Sequence, residues 1–209
     1  MRGEFSEVAE VRRAFAERRD FTPTHEQILR GLRDPSSTVR AAWSRRDDYP
    51  LTPGIVEMGT LDPSPIVRGI WASRTDFTPT REQISRGLKD VYLSIRDMWI
   101  RREDFKPTEQ QVLDGLSSAF PSVRAAWISR MDFPPTPEQI SEGLSGDGVG
   151  EWVAKVAWVE RMDWTPTPEQ VAEGLRDSSI TVRRKWMERM ALMSESALCD
   201  MDGAATPTL

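Results

Sequence analysis

The 209-residue chain has one cysteine and one histidine. A lone Cys199 excludes an internal disulfide and a zinc cluster, and a lone His25 excludes a histidine pair, so no metal or other cofactor is expected. No apolar run approaches the roughly 18 residues of a membrane span, and the opening "MRGEFSEVAEVRRAF" has no apolar stretch of signal-peptide length. On that basis the chain reads as cytoplasmic, with no membrane partner. Period-2 alternation is absent, so no strands are expected. Charge of one sign is not in excess either, with 28 basic and 33 acidic side chains for a net −5. The balance is uneven: residues 1–105 hold 18 basic and 17 acidic groups, residues 106–209 hold 10 and 16. The acidic second half argues against an extended nucleic-acid groove there. The scattered carboxylates and single histidine occupy places set by a repeat and do not converge, so no enzyme is expected.

What the sequence does have is a period. A Val-Arg pair followed by an aromatic residue recurs every 28 residues: Val11-Arg12 with Phe15, Val39-Arg40 with Trp43, Val67-Arg68 with Trp71, Ile95-Arg96 with Trp99, Val123-Arg124 with Trp127. After one step of 31 the register resumes with Ala154-Lys155 and Trp158, then Val182-Arg183 and Trp186. Self-similarity at a fixed period of this size is the signature of stacked supersecondary units.

Each unit opens on a stretch such as "TDFTPTREQISRGL" (Thr75 to Leu88). Thr24, Thr80, Thr108, Thr136 and Thr167 each have a Gln three residues on, which makes a capping box and starts a first helix, A. Pro53, Pro137 and Pro168 suit the first helical position, and Glu26, Glu82, Glu138 and Glu169 suit the positive end of the helix dipole. Gly31, Gly59, Gly87, Gly115, Gly143 and Gly174 either end helix A or admit a close neighbour. A second helix, B, follows, with Val39, Ala42, Trp43 and Arg46 at i, i+3, i+4 and i+7 as its buried stripe. Its start is open between Asp34 capping Pro35 and a later position, and the first B helix is expected to be capped by Ser6.

Two short helices cannot bury a face alone, so copies must stack. The expected fold is all-α, an elongated and curved α-solenoid of about six to seven two-helix repeats of 28 residues. Residues 1–190 would form one repeat domain, restarting near Thr24, Thr52, Thr80, Thr108, Thr136 and Thr167. Residues 191–209 would form a C-terminal cap or flexible tail.

The "D-x-x-x-x-V-R-x-x-W" half preceded by a capped helix resembles HEAT repeats and the related short leucine-rich-variant repeats of bacteria. The likeness runs from Ser6 to about Met190, although HEAT-like units are usually longer and carry a smaller core residue than Trp. It implies an α-solenoid whose B helices line a concave face, with Asp and Arg forming a ladder between units. Relatives of this build bind proteins or, as in a group of alkylpurine DNA glycosylases, DNA. The iron–sulfur cluster of the leucine-rich-variant prototype needs a cysteine-rich segment that is absent here.

Candidate sites follow from frame and departure. Trp43, Trp71, Trp99, Trp127, Trp158 and Trp186 share a stripe with Val and Ala, which reads as core rather than as a base-stacking platform. The Arg12, Arg40, Arg68, Arg96, Arg124, Arg183 series, with Lys155, is matched by cap aspartates and favours the ladder over a phosphate track. A second series, Arg18 through Arg189, ends helix B, where a cation suits the dipole. Function is then sought where the frame varies, at Arg13, Arg45, Asp97 and Arg101, and in the insertion "SGDGVGEW" with Trp152. Trp152 is either a helix-start residue packed beneath a glycine-rich loop or an exposed aromatic anchor. The expected role is a scaffold that binds another protein through its B face and residues 145–152, as an adaptor or an occluding inhibitor. The alternative is a nucleic-acid binder using basic residues of the N-terminal half.

Overall fold

A computed structural model describes residues 6–203, with side chains over 6–194. Cys199 lies outside the described side chains. Thirteen helices and no strand occur among the described residues: α1 Ala9–Ala16, α2 His25–Leu32, α3 Ser37–Ser44, α4 Pro53–Thr60, α5 Pro65–Ser73, α6 Arg81–Gly87, α7 Leu93–Ile100, α8 Glu109–Leu116, α9 Pro121–Ile128, α10 Pro137–Ser145, α11 Trp152–Glu160, α12 Pro168–Gly174 and α13 Ile180–Gly203. Even-numbered helices are A helices and odd-numbered ones are B helices. The chain divides into two compact units, Met1–Lys106 and Pro107–Leu209. In the first, the B helices α1, α3, α5 and α7 pack side by side, and α2, α4 and α6 each pack on the B helix that follows. The second repeats this with α9, α11 and α13 beside α8, α10 and α12.

Helices α1 to α12 are only 7 to 9 residues long, too short to hold in water without caps and tertiary packing. The caps are built as reciprocal pairs. The Gln27 N–H donates to Thr24 Oγ1 at 3.3 Å while the Thr24 N–H donates to Gln27 Oε1 at 2.9 Å. The same box closes at Thr80, Thr108, Thr136 and Thr167, whereas Thr52, without a Gln, accepts only from the Ile55 N–H. The B helices begin differently. Asp34 does not cap Pro35; its carboxylate accepts the Ser36 N–H at 2.8 Å in a turn, and α3 starts at Ser37 without a side-chain cap. Ser6 likewise accepts the Val8 N–H one turn before α1 rather than capping it. In α5 and α9 a proline takes the first helical position.

The glycines of the A helices are positions of close approach. A Cβ built on Gly31 would lie 2.2 Å from the Trp43 indole, and on Gly59 2.0 Å from that of Trp71; Gly87, Gly115, Gly143 and Gly174 meet Trp99, Trp127, Trp158 and Trp186 in the same way. Each indole therefore lies on the bare backbone of the preceding A helix, and all six are at most 3% exposed. Burying one ring removes about 150–250 Å² from water, about 4–6 kcal/mol as an upper bound. The stripe is not uniform, because its i+3 position is buried as Ala42 and Ala126 but 38% exposed as Met98.

Two arginine ladders join successive repeats. In the first, Arg12 forks onto Asp34 of the next repeat at 2.7 and 2.9 Å, Arg40 onto Asp62 at 2.7 and 2.9 Å, and Arg68 onto Asp90 at 2.7 and 3.0 Å. Lys155 reaches Asp177 at 2.7 Å. The third donor of the fork turns back on its own repeat, as Arg40 Nη1 does onto the Asp34 carbonyl at 2.8 Å. In the second ladder Arg46, Arg74, Arg102, Arg161 and Arg189, which follow their B helices, do more than answer their own helix dipoles. Arg46, 1% exposed, donates to the Ala16 carbonyl at 2.9 Å and to that of Arg18, satisfying carbonyls at the C-terminus of the B helix before it. It also donates to the Phe21 carbonyl at 3.1 Å and pairs with the loop carboxylate of Asp48. Arg102 repeats the arrangement on Ala72, Arg74 and Phe77, and Arg161 on Ile128, Arg130 and Phe133. Arg189 makes the same carbonyl bonds, but α13 runs on through Ala191, where other repeats carry the loop aspartate. Burial holds its pKa below the usual guanidinium value, against an opposing pull from Asp163. Helix α13 also runs through residue 190, where the sequence suggested a boundary.

These packing terms predict the cost of a methyl group. Gly59→Ala, forced onto the Trp71 ring, is expected to lose about 1–3 kcal/mol of unfolding free energy in urea. Gly54→Ala in the same helix meets nothing within 4 Å and is expected to gain up to about 1 kcal/mol. Equal effects from the two would contradict the contact.

The first ladder also predicts a pH dependence. Burial works to raise the Asp34 and Asp90 carboxyls, but the forks from Arg12 and Arg68, the backbone N–H bonds and nearby guanidinium charges hold both below the usual carboxylate range. A folded value below the unfolded one, about 3.9, stabilises above that pH and stops doing so as pH falls through the folded value. Unfolding free energy measured from about pH 6 down to about pH 2.5 is expected to hold and then fall below about pH 4, with a shallower fall in Asp34→Asn. An unchanged slope in that variant would remove Asp34 from the account.

Candidate binding surface

With both ladders engaged, the exposed part of the B helices in the first unit is set by residues outside the repeat frame. Ile66 and Ile70 of α5 and Met98 of α7 stand where other repeats carry residues such as Thr38 and Ala42. Tyr92 takes the place held by Ser36 and Ser64. Between them Gly69 is buried beside Met98, and a Cβ there would meet only that side chain, Sδ at 3.5 Å and Cε at 3.8 Å, an ordinary contact. The result is an open groove of about 940 Å³ floored by Ile66, Gly69, Ile70, Tyr92 and Met98. Ile66 is 58% exposed and Tyr92 48%. The Tyr92 ring sits 5.7 Å from the Arg68 guanidinium, which ties the groove wall to the first ladder. At the other edge Arg45, the C-cap residue of α3, is exposed and makes no side-chain hydrogen bond or ion pair among the described residues. Its carbonyl accepts from Arg19, which in turn pairs with Asp47 at 2.7 Å.

In the second unit the insertion has its own logic. The longer step between repeats leaves Gly146 where Arg124 would find its ladder carboxylate, 22 residues on. Glu151 supplies it instead, pairing with Arg124 from the N-cap of α11. The loop folds over that carboxylate: a Cβ on Gly146 or Gly148 would lie 3.0 or 3.3 Å from the Glu151 side chain. Gly150, at φ 82°, turns the chain into α11 through a conformation that a side chain would strain. What packs beneath the glycines is therefore Glu151. Trp152 is the first residue of α11 and 46% exposed, and Val149 at the loop tip is fully exposed. Asp147, with a side chain 97% exposed, lies 3.8 Å from Lys155, which Asp177 already holds.

The other sequence candidates are dispersed. Arg13 pairs with Glu17 along α1 at 3.1 Å, and Arg101 with Asp97 along α7 at 2.8 Å. Neither pair lines the groove, whereas Arg45 does. His25 is an exposed first residue of α2. The columns that vary just after the arginine and two after the Trp supply Gly69, Arg45 and Ser73 of the groove, but not its bulky apolar residues Ile66, Ile70, Tyr92 and Met98. Large apolar side chains at columns otherwise filled by Ser, Thr or Ala were the available signal. Among the described residues no group of three or more His, Cys, Asp or Glu side chains comes together to hold a metal ion, and no helix is long and apolar enough to cross a membrane.

Comparison with known families gives a match over residues 25–42 to a HEAT repeat associated with sister chromatid cohesion. That span is α2, the turn and most of α3, one repeat in which the Thr24 box leads into the Arg40 ladder. It supports a HEAT-like helical repeat without fixing the subfamily. No curated protein and no solved structure matches the chain.

Proposed function

We propose that the protein is a non-enzymatic repeat scaffold that binds another protein through its B-helix face, with the α5–α7 groove and the 145–152 loop as contact points. The observation that carries this reading is the groove: exposed Ile66, Tyr92 and Met98 side chains brought together on one face of α5 and α7. Apolar patches of this kind are where soluble proteins meet partners, and exposed aromatic residues such as Trp152 are frequent anchors. HEAT-like scaffolds commonly mediate protein interactions, which supports the reading. A nucleic-acid track finds less support, because Arg12, Arg40 and Arg68 are held by carboxylates and Arg13 and Arg101 pair along their own helices.

Capture from the native host with tagged protein, read by mass spectrometry, tests it. Wild type is expected to retain a protein that Ile66→Asp or Trp152→Ser loses while unfolding at the wild-type midpoint. The purified sample is expected to show no nucleic-acid excess in its 260/280 absorbance ratio. Retention of the same proteins by both variants, or binding to DNA that falls steeply with salt, would contradict the reading.

A further inference from the structure

We infer that the groove on the B face accepts the Asp147–Trp152 loop of a second copy of this chain. This rests on the reading of the groove and loop as contact points and names what would meet there. The two surfaces are complementary in apolar character and in charge. The groove has an apolar floor and, at its edge, the exposed guanidinium of Arg45 with no side-chain partner among the described residues. The loop presents an apolar tip, Val149 and Trp152, and beside it the nearly fully exposed carboxylate of Asp147. An indole seated on the groove floor covers Ile66 and Met98, and Asp147 then offers a carboxylate to Arg45. The loop is set for this role. Glu151 is fixed on Arg124 and Gly150 sets the turn, so little freedom is lost when the tip is held.

The two surfaces differ, so the contact is head-to-tail: each copy has one groove to fill and one loop to offer. One loop in one groove buries less than the about 1,200 Å² of a stable complex, so the association is weak and concentration-dependent.

Methyl NMR on full-length chains, each given a single role, tests this. The acceptor is isotope-labelled and carries Trp152→Ser, which leaves its groove intact and blunts its loop. The donor is unlabelled and carries Ile66→Asp, which leaves its loop intact and spoils its groove. Added donor is expected to shift the Ile66 and Met98 methyl signals of the acceptor saturably, and a donor that also carries Trp152→Ser is expected to shift neither. Arg45→Asp in the acceptor should weaken the shift by about tenfold, and Asp147→Arg in the donor should restore it, as a direct charge pair requires. Absence of any shift between folded chains, or equal shifts from both donors, would overturn the inference. If the shifts are absent while Ile66→Asp still loses a captured protein, the inference falls and the scaffold reading stands. If both fail, the groove is not a contact surface.

Discussion

The absence of a side chain at one position of each A helix governs how the repeats are built. At Gly31, Gly59, Gly87, Gly115, Gly143 and Gly174 the backbone itself is the surface on which the next indole lies. A ring held there fixes the spacing of the two helices in each repeat and reconciles two constraints. A unit of 28 residues affords only short helices, and a large aromatic is needed to give them enough buried area. A smaller core residue would not need the glycine, and a larger A-helix residue would expel the Trp. The ring also carries the second ladder. Guanidinium groups stack over the indoles at 5.5 Å for Arg46 on Trp43, 4.8 Å for Arg74 on Trp71 and 5.2 Å for Arg102 on Trp99.

From that seat Arg46, Arg74, Arg102, Arg161 and Arg189 reach back to carbonyls at the end of the preceding B helix. A cation buried there is tolerable because carbonyls, a loop carboxylate and an aromatic face surround it together. The consequence for function is subtractive. Most of the regular Arg and Asp columns are consumed in joining neighbouring repeats, and the exposed surface departs from the frame at Ile66, Tyr92 and Met98 in one unit and at the three-residue lengthening before α11 in the other. The lengthening displaces a ladder carboxylate, recovers it as Glu151, and leaves Val149 and Trp152 outside.

Much of this was legible because the repeat averages out local accident. The capping boxes follow from Thr and Gln three apart, the helix count from the period, and the first ladder from matched Arg and Asp columns. Three features were not legible, each for a physical reason. The glycines admitted two roles, and only their partnership in space with a Trp, 12 residues on or 15 for Gly143, separates close approach from a helix end. The terminal arginines looked like helix-dipole cations because backbone carbonyls, their true partners, leave no trace in a sequence. The groove was hidden because Ile66 and Met98 look like core residues until their columns in the other repeats are compared. Trp152 reads from the sequence either as a helix-start residue packed beneath a glycine-rich loop or as an exposed anchor; it does start α11, but it is half-exposed, and Glu151 is what lies against the glycines.

The central claim is that bare backbone and indole form one contact. A double-mutant cycle on Gly31→Ala and Trp43→Leu measures it most directly. Alone, the first crowds the ring and the second leaves a cavity, and each destabilises. Together the added methyl and the removed ring relieve one another. The double variant is expected to be more stable than the sum of the two losses by more than about 1 kcal/mol. Losses that simply add would show that glycine and tryptophan recur in register for separate reasons.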